Sequence, residues 1–206
     1  MDNASPAYNL TTQHGPDQAD PRTINWPERQ ERALFRFAVV DGVPQNPFQV
    51  GLPAGRGDLW HWGEAVAADA VVLATVDDVV HLLMVERADG HGWALPGGML
   101  DPREAPRDAV ARELEEETGL LRAAGEFTIL EPRGVPDPRA GANAWVVTFP
   151  GILRLDVESL PPVQGSDDAC AAAWIRANSY DELATQVEVF PAHTDLVRDV
   201  LRFNRR

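Results

Sequence analysis

The sequence predicts an α/β protein, organised as a sandwich of helices and strands. Residues 70–76 and 79–85 are two apolar runs separated by a pair of aspartates, which is typical of a hairpin of buried strands. Residues 106–119 have the apolar spacing and the terminal residues of an amphipathic helix, and residues 193–203 repeat that spacing. Strands on either side of a central helix, followed by a terminal helix, predict this fold class.

The remaining elements follow in chain order from turn residues and short apolar runs. Residues 1–31 are polar and contain scattered prolines, so we expect an extended arm there, followed by a single domain over residues 32–206. A strand over residues 34–40 is expected to end at the turn dipeptide Asp41-Gly42, and the Gly- and Pro-rich residues 44–62 to form a loop. Further strands are predicted at residues 93–95, 127–130, 144–149 and 171–175.

The central helix has two separable faces. Val110 and Leu114 lie one turn apart and form an apolar stripe that can pack against a sheet. Pro106 falls in the first turn, where a missing N–H costs no hydrogen bond, and Gly119 has the position of a C-terminal cap. Glutamates crowd the last part of the helix, and they are Glu113, Glu115, Glu116 and Glu117.

These glutamates indicate a cation site. Glu113 projects from the same face as Glu116 and Glu117, at spacings of three and four residues. Like charges repel, and the C-terminal end of the helix dipole disfavours further anions. Because carboxylate oxygens are ligands of hard divalent cations, we predict a Mg²⁺ site here, with Mn²⁺ as the other candidate metal and a phosphate-bearing substrate. A solvated acidic face without a ligand is the alternative interpretation.

Composition and charge restrict the partners of the protein. The 206 residues carry a net charge of −14, which argues against a nucleic-acid partner because phosphate backbones are bound by basic surfaces. Cys170 is the only cysteine, so an internal disulfide is excluded and a reducing compartment is favoured. The sequence has neither an apolar run that would span a bilayer nor a signal-peptide core, so we expect a cytoplasmic protein without a membrane partner. Monomer and homodimer both stay open.

A longer pattern surrounds the glutamates at residues 98–120. It is a glycine, five residues, a glutamate, seven residues, and then the run Arg-Glu-Leu-Glu-Glu-Glu-Thr-Gly-Leu. This pattern resembles the Nudix box, whose fixed positions are all filled here by Gly98, Glu104, Arg112, Glu113, Leu114, Glu116, Glu117, Gly119 and Leu120. The resemblance to Nudix hydrolases implies an α/β/α sandwich with a mixed central sheet. It also implies an enzyme that hydrolyses a nucleoside diphosphate linked to another group.

Segments outside the box resemble one branch of this family, the mitochondrial-type ADP-ribose pyrophosphatases and the related ADP-ribose-sensing domain of melastatin-family cation channels. The resembling segments are residues 41–47, 51–52, 55–59, 62–63 and 67–69 before the box, and 137–139, 143–145, 165–169, Trp174 and 190–193 after it. The resemblance implies ADP-ribose as substrate and a pocket lined by Asp137, Arg139, Asp168, Phe190 and His193. The chain departs from that branch at residues 64–66, where Glu-Ala-Val replaces Pro-Asn-His, and at Phe190, which replaces a tyrosine.

With ADP-ribose as the substrate that the resemblance implies, hydrolysis of the pyrophosphate would yield AMP and ribose 5-phosphate. The predicted metal ligands are Glu113, Glu116, Glu117 and the carbonyl of Gly97. Arg112 and Glu104 are expected to pair and to orient the glutamates. Glu116 is the first candidate for the general base, and Asp167 or Asp168 is the second.

Several alternatives stay open. Another Nudix substrate, such as NADH, a nucleotide sugar or a dinucleoside polyphosphate, would use the same box. A protein that senses ADP-ribose without cleaving it is the other functional alternative, and the intact set of glutamates argues against it. Without the resemblance, a residue such as Phe190 is more often in the core than in a pocket, and a cap of the last helix is the alternative interpretation of His193.

Overall fold

The computed structural model describes residues 20–167 and 169–203. Residues 1–19 of the predicted arm at 1–31 and the candidate Asp168 lie outside the described residues. The described chain divides into two compact units, the first with residues 20–67, 99–106 and 132–149, and the second with residues 68–98, 107–131 and 150–203. The predicted single domain over residues 32–206 stays a prediction.

The residues just after position 19 are folded, in contrast to the predicted extended arm. A 3-10 turn at Pro21–Thr23 precedes helix α1, Trp26–Arg32. The side chain of Asn25 caps the N-terminus of α1 by accepting the N–H of Glu28. Trp26 is only 4% exposed, and its indole N–H donates to the carbonyl oxygens of Pro21 and Gly42. Burial of this ring against the first unit explains why the segment is not extended.

The first unit also contains a short hairpin and part of a long strand. Strands β1, Val39–Val40, and β2, Val43–Pro44, are joined by Asp41 and Gly42, whose φ angles are both positive, as a two-residue hairpin turn requires. The predicted strand 34–40 is therefore present only in its last two residues. Its earlier backbone is held differently, because the amides of residues 34 and 35 donate to the carboxylate of Glu64.

The second unit is built on an antiparallel-rich sheet in the order β10-β4-β3-β9-β7. The predicted hairpin is confirmed: β3, Gly63–Val76, pairs with β4, Val79–Arg87, across the turn at Asp77 and Asp78, with Leu73 opposite Leu82. Residues 65–74 of β3 are all buried, so both faces of this strand are covered. The other strands are β5 at Trp93–Ala94, β6 at Gly97–Met99, β7 at Thr128–Ile129, β9 at Ala144–Asp156 and β10 at Ala169–Arg176. Strand β8, Arg133–Val135, belongs to the first unit, and β3, β6 and β9 each have residues in both units.

The described part of the second unit contains three α-helices. Helix α2, Pro106–Thr118, has the bounds that the sequence predicts, and Gly119 ends it with a φ of 68°. A Cβ atom on Gly151 of β9 would lie only 2.7 Å from Cγ1 of Val110 in α2, so the helix packs closely on the sheet. Helix α3, Tyr180–Ala184, was not predicted, whereas α4, Thr194–Phe203, was. The α/β class is confirmed.

The main core of the second unit joins α4 to the sheet. Leu196, Val197, Val200 and Leu201 of α4 pack with buried side chains of β3 and β4, including Leu73 and Met84. This cluster positions the segment before α4 against the strand that precedes β6. Within residues 20–167 and 169–203, no helix has both the length and the apolar character needed to cross a membrane.

Candidate functional site

The glutamates of α2 differ in exposure. Glu113 and Glu117 are each only 9% exposed, whereas the side chain of Glu116 is 46% exposed. The predicted common face therefore consists of two buried carboxylates and one that reaches solvent. Buried carboxylates need hydrogen bonds or a positive charge nearby, so their surroundings decide what this face can do.

Two glycines bring backbone into contact with these carboxylates. The N–H of Gly97 donates to Oε2 of Glu117 at 2.9 Å. A Cβ on Gly98 would overlap the carboxylate of Glu113, with its Cδ only 2.7 Å away. A Cβ on Gly97 would overlap Oδ1 of Asp69 in the same way. Only glycine therefore allows the backbone at the start of β6 to approach the acidic side chains this closely.

This close approach predicts a specific effect of Gly98→Ala. The added methyl group must displace the carboxylate of Glu113, so we expect the affinity for Mn²⁺ to fall about 10-fold or more. Mn²⁺ binding can be measured from the electron paramagnetic resonance signal of the free ion. Gly125→Ala is the matched control, because a Cβ at Gly125 meets no atom within 4 Å. Equal Mn²⁺ affinities of the Gly98→Ala variant and the wild type would remove Glu113 from the metal site.

Arg112 holds two of the glutamates. Its Nη1 donates to Oε1 of Glu113 at 2.8 Å and to Oε2 of Glu116 at 2.9 Å. Glu104 accepts the backbone N–H of Asp101 at 2.8 Å. The predicted pairing of Arg112 with Glu104 stays a prediction. The guanidinium contacts two of the predicted metal-binding carboxylates, and its role in orienting them stays a prediction.

The environment of Glu117 favours its neutral form. Burial is the main cause, and the negative charges of Glu113 and Asp69 add to it, so that the pKa of Glu117 rises to about 8. The N–H of Gly97 and the charge of Arg87 act in the opposite direction. A divalent cation beside Glu117 would supply the positive charge that this carboxylate lacks.

The donor set fits a hard divalent cation, although the side chains are not gathered around one point. Carboxylate oxygens and a backbone carbonyl at a glycine cradle are suitable ligands for Mg²⁺ or Mn²⁺. In the described part of the chain, no group of three or more His, Cys, Asp or Glu side chains is arranged to hold an ion. Arg112 contacts one carboxylate oxygen of Glu113 and one of Glu116, so the ion pairs do not occupy both oxygens of either group.

The loop at residues 164–167 is hydrogen-bonded to the C-terminal end of α2. The N–H of Ser166 donates to the carbonyl of Glu117 at 3.2 Å, and its hydroxyl donates to the carbonyl of Glu116. The N–H of Gln164 donates to the carbonyl of Thr118. Asp167, a candidate general base, follows directly in the chain and has a positive φ of 56°. Its role stays a prediction.

Asp137 and Arg139 form an ion pair in the first unit. Nε of Arg139 lies 3.0 Å from Oδ1 of Asp137, and Nη2 lies 2.7 Å from Oδ2. Asp137 is 2% exposed, whereas the side chain of Arg139 is 32% exposed. The buried carboxylate thus holds a partly exposed guanidinium in a fixed plane, which suits binding of a phosphate.

Phe190 and His193 are buried. Phe190 is 2% exposed, and its ring contacts the guanidinium of Arg87 at 4.5 Å and the ring of His193 at 5.3 Å. His193 is 8% exposed; its Nδ1 accepts the N–H of Leu95 at 2.8 Å, and its Nε2 lies 3.5 Å from Oδ1 of Asp69. Phe190 therefore occupies the core position that the sequence left open, and its contact with a substrate stays a prediction.

Asp69 and Arg87 were not predicted as site residues from the sequence. Asp69 is the only charged residue in the run 65–76 of β3, and a lone carboxylate in a buried strand is a signal of a specific partner. Arg87 is the last residue of β4, and its charge lowers the pKa of Glu117. The signal at Arg87 is weaker, because an arginine at a strand end is ordinary.

Comparison with known proteins assigns the class. The NUDIX domain matches residues 63–195, so the chain belongs to the Nudix family of hydrolases. It is 25% identical over 198 residues to the mitochondrial ADP-ribose pyrophosphatase of Rattus norvegicus, covering 79% of this chain and 54% of that protein. It is 28% identical over 196 residues to a transient receptor potential cation channel subfamily M member-like 2 of Nematostella vectensis, covering 81% of this chain and 12% of the channel.

A solved structure agrees with this class. The bifunctional NMN adenylyltransferase/ADP-ribose pyrophosphatase of Francisella tularensis, complexed with AMP and a Mn ion, matches with a TM-score of 0.54 and 26% sequence identity. The match covers 69% of this chain and 42% of that protein. The chain thus spans about half or less of the length of these relatives. The predicted resemblance to the ADP-ribose branch of the Nudix family is confirmed.

Proposed function

We propose that this Nudix protein hydrolyses the pyrophosphate bond of ADP-ribose to AMP and ribose 5-phosphate, with Mg²⁺ or Mn²⁺ as cofactor. The observation that carries the proposal is the pair of buried carboxylates, Glu113 and Glu117, in contact with Gly98 and Gly97. The relatives named for ADP-ribose pyrophosphatase activity support the substrate, and the Mn ion in the Francisella tularensis structure supports the metal.

The residues of α2 divide the chemical tasks. Glu113, Glu116, Glu117 and the carbonyl of Gly97 would hold the cation. A bound divalent cation neutralises charge on the pyrophosphate, polarises its phosphorus–oxygen bonds and makes a nearby water easier to deprotonate. Arg112 fixes the direction of two of the carboxylates before they bind. Glu116 is the exposed glutamate and is the first candidate to accept the proton of the attacking water, with Asp167 or Asp168 as the second.

Arg139 is the proposed contact to a substrate phosphate. Asp137 orients the planar guanidinium through three side-chain hydrogen bonds, and a fourth bond joins Asp137 to the backbone N–H of residue 139. A planar fork that is already held in place loses little entropy when it binds an oxyanion. The resemblance also implies that Phe190 and His193 contact the ligand; both side chains are buried, and these contacts stay predictions.

Arg139→Lys tests this assignment. Lysine keeps the charge but cannot form the paired hydrogen bonds, so we expect KM for ADP-ribose to rise about 10-fold or more. The affinity for Mn²⁺ in the absence of substrate should stay unchanged. Arg36→Lys, at an exposed position of the same unit, is the control and should leave KM unchanged. An Arg139→Lys variant with the wild-type KM would exclude this phosphate contact.

A substrate panel tests the proposed function itself. Purified protein is incubated with Mg²⁺ and, separately, ADP-ribose, NADH, a diadenosine polyphosphate and a nucleotide sugar, and the products are identified by mass spectrometry. We expect the highest kcat/KM for ADP-ribose, with AMP and ribose 5-phosphate in equal amounts. A higher kcat/KM for another compound would replace ADP-ribose as substrate. Binding of ADP-ribose by calorimetry without any product would instead indicate a sensor.

A further inference from the structure

Asp69 and His193 form a buried pair in the second unit that the proposed mechanism does not use. Asp69 is 5% exposed and His193 is 8% exposed, and His193 Nε2 lies 3.5 Å from Oδ1 of Asp69. A buried carboxylate opposite an imidazole is costly to desolvate, so a specific partner is expected for each group. Both side chains lie beside the segment that leads into β6.

The hydrogen bonds define the orientation of the imidazole. The backbone N–H of Leu95 donates to Nδ1 of His193 at 2.8 Å, so Nδ1 must present a lone pair. In the neutral ring the proton is then on Nε2, which faces Asp69. The ring therefore joins the backbone at Leu95 to the carboxylate of Asp69, and both of its nitrogens are engaged inside the protein.

The same segment is held at neighbouring residues. The N–H of Trp93 donates to the carbonyl of Glu188, and the N–H of Phe190 donates to the carbonyl of Trp93, each at 2.7 Å. The N–H of Ala70 donates to the carbonyl of Pro96, also at 2.7 Å. Residues 188–190, which precede α4, and Ala70 of β3 therefore both form backbone hydrogen bonds with residues 93–96. His193 adds a side-chain hydrogen bond to the same segment, at Leu95.

Gly97 comes next in the chain and rests on Asp69. A Cβ at Gly97 would overlap Oδ1 of Asp69 and lie 2.6 Å from the carbonyl oxygen of Ala68. The N–H of Gly97 donates to Oε2 of Glu117. The position of the His193–Asp69 pair therefore determines where the backbone of Gly97 lies relative to Glu117.

We propose that Asp69 and His193 are positioning residues, which hold the backbone at Gly97 so that its carbonyl and the carboxylate of Glu117 bind one divalent cation. The inference rests on the proposed metal site and not on ADP-ribose as the substrate. His193 acts on the metal site through its contacts with Leu95 and Asp69. This role differs from the pocket contact that the family resemblance implies.

Two substitutions of His193 test separately the contact of Nδ1 with Leu95 and the contact of Nε2 with Asp69. In His193→Asn, the amide oxygen reaches the place of Nδ1 and can still accept the N–H of Leu95, but the donor to Asp69 is lost. In His193→Gln, the longer amide reaches the place of Nε2 and can still donate to Asp69, while the N–H of Leu95 loses its acceptor. Asp69→Asn keeps the shape of the third partner and removes its charge.

The measurement is Mn²⁺ binding in the absence of substrate, followed by kcat and KM for ADP-ribose at saturating Mn²⁺. We expect each variant to bind Mn²⁺ about 10- to 100-fold more weakly, with KM for ADP-ribose within about twofold of the wild type. His81→Asn is the matched control, because His81 lies on β4 with Nδ1 3.2 Å from the carbonyl of Val79. It should bind Mn²⁺ like the wild type.

Unchanged Mn²⁺ affinity together with a raised KM in the His193 variants would overturn the inference and show a substrate contact instead. If the His193 variants do not fold, Asp69→Asn and the wild-type protein carry the test. Nitrogen-15 spectra of the wild type with Mg²⁺ should show His193 protonated at Nε2 and unprotonated at Nδ1, and a proton on Nδ1 would contradict the proposal. Mn²⁺ binding without ADP-ribose turnover by the wild type would refute the proposed substrate and leave this inference standing.

Discussion

Glu117→Gln is expected to lower kcat for ADP-ribose by about 10³-fold or more and, at the same time, to stabilise the metal-free protein at pH 8. Glutamine has the shape of glutamate and keeps an oxygen that can accept the N–H of Gly97. It cannot carry the negative charge that a divalent cation needs from this ligand. Loss of activity with a gain in stability cannot be explained by misfolding.

Glu115→Gln is the control for this substitution. Glu115 lies on the same helix, two residues away, and is exposed. The change of charge is the same, so a general effect of charge on the helix would appear in both variants. We expect wild-type kcat for Glu115→Gln, measured as AMP released under saturating Mg²⁺. If Glu117→Gln also retained wild-type kcat, Glu117 would not be a metal ligand.

The elements that the sequence predicts well are those with local signals. The bounds of α2 follow from Pro106 and Gly119, and the β3–β4 hairpin follows from two apolar runs around Asp77 and Asp78. The strand expected at residues 34–40 is mostly missing because Glu64, about thirty residues away, binds its first backbone amides. A local pattern carries no information about such a contact.

In the candidate site too, local sequence patterns predict some features, and contacts between distant residues determine the others. The spacing of Glu113 and Glu117 predicts one shared face, and the structure places both carboxylates in contact with glycine backbone. The exposure of Phe190 and His193 depends on packing between the chain end and the β5 segment, so the sequence could not decide between pocket and core. Asp69 was not predicted for the same reason, because its contact with the backbone of Gly97 depends on the folding of distant segments.

The stability of the metal-free protein is expected to fall as the pH rises from about 5 to about 8. The pKa of Glu117 is raised from 4.5 to about 8 in the folded protein, mainly by burial. Between these values the folded state binds a proton that the unfolded state has released, so stability decreases with increasing pH. The contribution is fully present below about pH 4.5 and is lost once the pH passes about 8. Its slope is at most about 1.4 kcal/mol per pH unit.

The difference between wild type and Glu117→Gln isolates this single group from all other titrations. Urea unfolding with EDTA should give similar free energies of unfolding for the two proteins near pH 5, and a wild type that becomes progressively less stable than the variant up to pH 8. Above pH 8 the difference should stay constant. Added Mg²⁺ should restore the stability of the wild type at pH 8 and stabilise the variant much less, because the variant keeps the other proposed ligands but lacks the negative charge at residue 117. A difference that is independent of pH would show that Glu117 is ionised in the folded protein without a cation, and the electrostatic argument for a metal at this carboxylate would then fail.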